Sequence, residues 1–258
     1  METTMKLALL SDIHANLRAL QACLDHTRAA GATHYAVLGD LVGYGAEPGE
    51  VVDAVMSLAR GGAVVLQGNH DAEACKPPVA APDAGQAMDV ASAQWTHTQL
   101  SEAQRGFLQS LPLAAQIGSA WLVHASADAP AAWHYVDNPQ RATMSLEAGL
   151  ATEGVCHVFG GHVHHQRLYY RGSGRGLMEF APTPGVAVPV PAHRRWLATI
   201  GSVGQPRDGD TRAMYALFDA GQARLTFERI AYDHRAAAAA IRRAGQPEFF
   251  AKRLEQGR

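Results

Sequence analysis

Nine polar residues of this chain stand just past short apolar runs: Asp12, His14, Asp40, Asn69, His70, Asp71, His124, His162 and His164. Histidine is abundant, at 13 of 258 residues, with several in tight groups beside Asp and Gly, which directs attention to metal ligation. Imidazole and carboxylate donors suit Mn, Fe, Zn or Ni better than Mg or Ca. The three cysteines, Cys23, Cys75 and Cys156, are scattered without CxxC spacing, which argues against a structural Cys-type zinc site and fits a reducing cytosol. The donors suffice for two cations, so a catalytic binuclear site is the natural reading. In Asp12-x-His14 and His162-x-His164 an extended backbone would point both side chains the same way, because side-chain direction repeats every two residues.

Such residues need elements to hold them. Lys6 to Leu10, Tyr35 to Leu38 and Ala63 to Leu66 read as buried strands, each ending at one of the polar groups. Between them, Leu17, Leu20 and Leu24 behind a capping Asn16, and Val51, Val52, Val55, Met56 and Ala59, have helical spacing. Alternating βαβαβ units imply a largely parallel sheet with ligands at the carboxyl ends of its strands. Residues 72–115 read as a helical insertion, with a loop at Pro77, Pro78 and Pro82, helical patterning through Met88, Ala91 and Trp95, and capping-box spacing from Ser101 to Gln104. Ala120 to Val123 then delivers His124, and Val155 to Phe159 delivers the His162 block. Gln166 to Tyr170, Leu177 to Phe180, Trp196 to Ile200, Met214 to Phe218 and Arg224 to Tyr232 predict a second, more antiparallel sheet. Residues 233–258 form a C-terminal helix and tail, and 1–258 is expected to be a single α/β domain.

The blocks D-x-H, G-D, G-N-H-D, an isolated His after a strand, and G-H-x-H occur in that order from Asp12 to His164. As a set they resemble the calcineurin-like metallophosphoesterase superfamily, and Gly201 to Arg207 extends the likeness toward the C-terminus. The fold so implied is a four-layer α-β-β-α sandwich of two mixed sheets flanked by helices, with the metal site at the carboxyl ends of strands. The resemblance implies that Asp12, His14 and His164 bind one metal, that Asn69, His124 and His162 bind the other, and that Asp40 bridges them. The ions would be divalent or trivalent, Mn first, with Fe, Zn or Ni as alternatives. A hydroxide shared by two cations about 3.5–4 Å apart would attack phosphorus. His70 would be the catalytic histidine, donating a proton to the leaving alkoxide. Asp71 would orient His70 or cap a helix. His124 is followed by Ala125 where relatives often have Gly, which would strain the backbone if φ there were positive. Gly39 to Gly45 lacks the Asp-Arg-Gly of the protein phosphatase branch, so the chain is more similar to the small prokaryotic phosphodiesterase-like branch.

Composition narrows the partners. With 22 Lys+Arg against 24 Asp+Glu the net charge is −2, which speaks against a nuclease or a stable nucleic-acid complex. A non-catalytic regulatory protein of the same fold would have lost a ligand or His70, and none is missing. No apolar run reaches the roughly 20 residues of a membrane span. A cytoplasmic hydrolase of a phosphodiester or small organic phosphate is expected, with a homo-oligomer possible. Tyr44 is read as stacking on an aromatic leaving group or packing on its loop, and Arg207 and Asp208 as contacting phosphate or pairing with each other. The Pro-rich loop 182–196 is read as a lid, an oligomer contact or a solvated loop, and His165 as meeting substrate or a second carboxylate.

Overall fold

A computed structural model describes residues 5–77, 87–171 and 176–258. In strand β1 (Lys6–Leu10), Leu7 and Leu9 enter one apolar cluster while Ala8 and Leu10 enter another. That is the period-two geometry of a strand covered on both faces, and it sets the layering of the whole molecule. Helix α1 (Leu17–Ala29) starts at Asn16, whose side-chain oxygen accepts from the Ala19 amide. Strand β2 (His34–Val37), helix α2 (Pro48–Arg60) and strand β3 (Val64–Val65) complete the expected βαβαβ unit, with β1, β2 and β3 parallel.

Helices α3 (Asn69–Ala74), α4 (Ala87–Gln99) and α5 (Glu102–Ser110) follow. Ser101 and Gln104 exchange both hydrogen bonds of the expected capping box. Pro78 and Pro82 lie outside the described residues. Strand β4 (Ala114–Ile117) begins within the stretch expected to be helical to residue 115, and it pairs with β5 (Ala120–Val123). After a 3-10 turn at Pro130–Ala132 come α6 (Pro139–Leu150), β6 (His157–Gly160), β7 (Gln166–Arg171), β8 (Leu177–Phe180), β9 (Ala187–Pro189), β10 (Arg195–Ile200), β11 (Ala213–Asp219), β12 (Arg224–Ile230), α7 (His234–Arg243) and α8 (Glu248–Gln256).

Two six-stranded mixed sheets result, ordered β3-β2-β1-β11-β12-β9 and β4-β5-β6-β10-β7-β8. Their facing sides share a core of Leu7, Leu9, Leu38, Phe159, Ile200 and Phe218. Helices α1 and α2 cover the outside of the first sheet through Leu20, Cys23, Val51 and Val55. Helix α6 covers the second through Ala142 and Leu146. This is the four-layer sandwich that the resemblance implied. Among the described residues no helix is long and apolar enough to cross a membrane.

Sequence order misassigns some strands. The second half was expected to form its own sheet, yet β11 and β12 return to the first, where β11 pairs antiparallel with the free side of β1. Apolar alternation says that a strand is half-buried and nothing about which neighbour it joins. Loop 182–196 contains edge strand β9, paired to β12, where Pro189 costs no ladder bond that a central strand would need. Helix α6 was not anticipated. Its buried positions Ala142, Ser145, Leu146 and Gly149 are mostly small, so its apolar stripe is faint. The start signals are nonetheless there, with Pro139 in the first turn and Asn138 accepting from the Arg141 amide at 3.0 Å.

Between the sheets, His157 has both ring nitrogens engaged, Nε2 donating to the Val190 carbonyl at 2.8 Å and Nδ1 accepting from the Ser119 hydroxyl at 3.1 Å. Burial holds its pKa below the ordinary 6.5. The folded state therefore favours the neutral ring. That contribution is complete above the unfolded value and is lost as pH falls below it. Urea unfolding at pH 7.5 and 5.5 should show a smaller acid destabilisation in His157→Gln than in the wild type; an equal drop would refute the assignment. Removing the cap with Asn138→Ala should cost about 1 kcal/mol by the same assay.

Candidate metal centre

The segments past five strand ends, those of β1, β2, β3, β6 and β10, are stitched together. The Asp12 amide donates to Gly39 O at 3.0 Å and the His14 amide to Asp40 O at 3.0 Å, while Val203 and Gly204 donate to Ser11 O and Asp12 O. The Asp12 carboxylate accepts from the His162 amide at 2.9 Å, and that of Asp40 from the His70 amide at 2.8 Å. Gly161 and Gly68 matter here because these carboxylates occupy the space a Cβ would need: Asp12 Oδ2 at Gly161 and Asp40 Oδ1 at Gly68.

Asp12, His14, Asp40, His162 and His164 all have left-handed backbones, with φ between 49° and 67°. The D-x-H and H-x-H pairs do converge, but the expected reason is corrected: these segments are not extended, and alternate left-handed residues aim the side chains. Asp and His tolerate this region better than most residues, and such strain concentrates at functional sites. Ala125 is not among the positive-φ residues, so the chain passes His124 without the strain considered for it.

The seven candidate ligands come together. His14 Nδ1 donates to Val42 O at 3.1 Å and His164 Nδ1 to Gln205 O at 2.6 Å. A carbonyl only accepts, so each Nδ1 carries its proton and each neutral ring turns a bare Nε2 inward. The two Nε2 atoms lie 3.1 Å apart, and His164 Nε2 is 3.2 Å from Asp12 Oδ1. Asp12 Oδ1 is buried without a hydrogen-bond partner. Three lone-pair donors thus face one another, an arrangement that a cation satisfies and a proton shared two ways does not. Next to it, His124 Nδ1 donates to Leu38 O at 2.7 Å, leaving Nε2 within 3.2–3.3 Å of Asn69 Oδ1, His162 Nδ1 and Asp40 Oδ2. Asp40 lies between the two groups, its Oδ2 also 3.8 Å from His14 Nε2. The donor set fits metal binding.

Protonation agrees with that fit. Burial lowers the pKa values of His14 and His164, and that of His162 to about 4, so all three are neutral ligands near pH 7. Burial alone would raise Asp12 and Asp40; the facing imidazoles, His164 for Asp12 and His124 for Asp40, hold both below the usual carboxylate range by the charge they take on in acid, where these carboxyls titrate. His124 moves the other way: burial alone would lower it, but the charge and hydrogen bond of Asp40, together with the Asp12 charge and the bond to Leu38, lift it to about 9. Its Nε2 proton occupies the place a cation would take.

His70 is half-buried at the rim. Its ring packs edge-on against Tyr44, with centroids 4.4 Å apart, and lies 5.2 Å from the His14 ring. It also lines a cavity of about 290 Å³ with Glu73, Asp89, Val90 and Ala93. Of the two alternatives for Asp71, the structure has the cap: its oxygens accept from the Leu41, Val42 and Gly68 amides. Burial and the neighbouring Asp40 push its carboxyl up to about 7. Asp208 pairs with Arg229 rather than Arg207. His165 Nδ1 bonds to the Val163 carbonyl of its own turn.

Motif spacing passed over several rim residues. Tyr135 stacks on His162 at 4.1 Å while 51% exposed, and Trp133 lies edge-on to His124 at 5.7 Å. Both lie in the aperiodic stretch before α6, where only Pro130 and Asn138 mark structure. Helix α8, expected to be part of a tail, packs Phe250 4.8 Å from the Tyr44 ring.

The calcineurin-like phosphoesterase superfamily domain matches residues 5–223. A metallophosphoesterase from Sphaerobacter thermophilus is 34% identical, and its crystal structure superposes with a TM-score of 0.85 over 99% of this chain and 100% of that one. A hypothetical protein from Pyrococcus horikoshii OT3 shares the fold, with a TM-score of 0.76 at 22% identity over 98% and 99% of the two chains. An uncharacterized protein of Methanocaldococcus jannaschii is 28% identical over 98% of each chain. Together with the converging Asp and His donors, these likenesses make the chain a member of the calcineurin-like phosphoesterase superfamily, which hydrolyses phosphoric esters with the help of metal ions.

Proposed function

We propose that this protein hydrolyses a phosphodiester or small organic phosphate at a two-metal site. The observation that carries the reading is the face-to-face approach of His14 Nε2 and His164 Nε2 at 3.1 Å, with both Nδ1 protons committed to carbonyls. Asp12, His14 and His164 would hold one ion, Asn69, His124 and His162 the other, and Asp40 would serve both. Mn suits the donors first, with Fe, Zn or Ni as alternatives. Two such ions, when bound, supply an acidified water and offset charge on the phosphoryl oxygens.

The chain's own residues do the rest. Asp40 sits where one carboxylate can face both ligand groups and relieve their repulsion. His70, at the rim rather than in the ligand cluster, can donate a proton to the departing alkoxide. The Tyr44 ring fixes the plane of His70 on one side. Tyr135 covers His162 and leaves its outer face open to a leaving group. The cavity of about 290 Å³ beside His70 suits a small substrate, and the net charge of −2 suits a free ester better than a polynucleotide. A cytoplasmic setting is part of the proposal.

Protein loaded with Mn²⁺ should hydrolyse bis(4-nitrophenyl) phosphate, and Asp40→Asn should lower kcat/KM by at least about 100-fold. Preference for 4-nitrophenyl phosphate would redirect the substrate class to monoesters. Two tightly bound metals with no turnover of either ester would sink the hydrolase reading. Metal should also raise Tm, and its affinity should fall as pH drops through the imidazole range, because ligation requires deprotonated rings; an affinity flat from pH 8 to 5 would contradict the ligand set.

A further inference from the structure

Beyond the metal ligands, two guanidinium groups converge on a single neutral atom. Arg207 Nε and Nη2 donate to Gln205 Oε1 at 3.2 and 2.8 Å, and Arg253 Nη1 of α8 donates to the same oxygen at 3.1 Å. Gln205 is buried, and its backbone carbonyl is the group that holds His164 Nδ1. The pair is therefore anchored to the residue that orients a metal ligand. The Arg207 guanidinium also lies 5.9 Å from the centroid of Tyr44, the ring that packs on His14 and His70.

One amide oxygen offsets neither charge. Where arginines of this chain meet a partner charge, it is a carboxylate, as in Arg18 with Glu47, Arg171 with Glu147, Arg229 with Asp208, and Arg242 with Glu248 and Glu255. Among the described residues, Arg207 and Arg253 have none within 4.0 Å. Asp89 of α4 acts on Arg253 only from beyond that distance. Burial and then the Arg207 charge depress the Arg253 pKa, as expected of half-buried like charges held together. Two guanidinium forks side by side with donors to spare form an anion site of phosphate type, since the planar fork matches phosphate oxygens two at a time.

We propose that Arg207 and Arg253 bind a second phosphate of the substrate, distinct from the one being hydrolysed. Arg207 faces the Tyr44 ring, which itself packs on the His14 and His70 rings, so the pair is placed to address a group beyond the one at the reacting centre. The inference rests on the phosphoesterase reading and deepens it: the substrate class becomes small phosphoesters that carry a further phosphate.

The test is competitive inhibition of bis(4-nitrophenyl) phosphate hydrolysis in the Mn²⁺-loaded protein, by alkanediol bisphosphates of graded length and the matching alkyl monophosphates. At the fitting length the bisphosphate should bind at least about ten-fold tighter than the monophosphate. Arg253→Gln and Arg207→Gln should each erase that ratio, and Arg253→Lys should restore part of it. Reading a ratio cancels any uniform loss of folded or metallated protein. No advantage at any length, or an advantage that survives both glutamines, overturns the second-phosphate site while leaving the hydrolase intact. Absence of hydrolysis in the wild type instead removes the phosphoesterase reading, and this inference with it.

Discussion

Three of the four polar atoms of Asp12 are committed to tying loops together, two of them from one sheet to the other. Its amide donates to the loop after β2, its carbonyl accepts from Gly204 and from the Ser202 hydroxyl, and Oδ2 accepts from the His162 amide beyond β6. The exception, Oδ1, faces the bare imidazole nitrogens. The contacts that fasten the sheets at this end and those that aim a ligand therefore belong to the same residue. The Gly161 requirement follows from the same constraint, because a side chain there would displace the Asp12 carboxylate.

Holding unprotonated donors together has a local cost. Five of the candidate ligands adopt a left-handed backbone, a conformation that costs about 1–3 kcal/mol per residue where the surroundings enforce it. At Asp12, His14 and Asp40 it is enforced by the laddering of the loops after β1 and β2, and Asp71 ties Leu41 and Val42 of the second loop to Gly68. Asp71 thus supports the centre through the backbone. Among the described residues its side chain bonds to Leu41, Val42 and Gly68 and not to His70; that ring packs on Tyr44 instead.

The five motif blocks made the inner site readable because each ligand follows a strand end, and a parallel βαβ arrangement brings strand ends to one edge. The β1 to β3 unit, α1, α2 and the capping box at Ser101 were legible for similar local reasons. The return of β11 and β12 to the first sheet was not, since strand partnership is a long-range property that alternation does not encode. Helix α6 escaped because it packs with alanine, serine and glycine, where a close approach replaces an apolar stripe: a side chain at Gly149 would collide with Val158. The D-x-H and H-x-H side chains come together through left-handed backbones and not through the side-chain alternation of an extended segment.

The rim obeys a different logic from the centre. Tyr135 comes from an aperiodic loop, Arg207 from the segment after β10, and Arg253 and Phe250 from the last helix; no shared spacing links them. Only tertiary packing brings them to the ligands: Phe250 of α8 seats the Tyr44 ring, and Tyr44 in turn seats His70. The spacing of the motif blocks accordingly identifies the family, whereas Tyr135, Phe250 and Arg253 at the rim belong to none of those blocks. A fold arranged in this way can keep its cluster of Asp and His donors while the C-terminal helices and residues 130–138 vary, because neither contributes a candidate ligand.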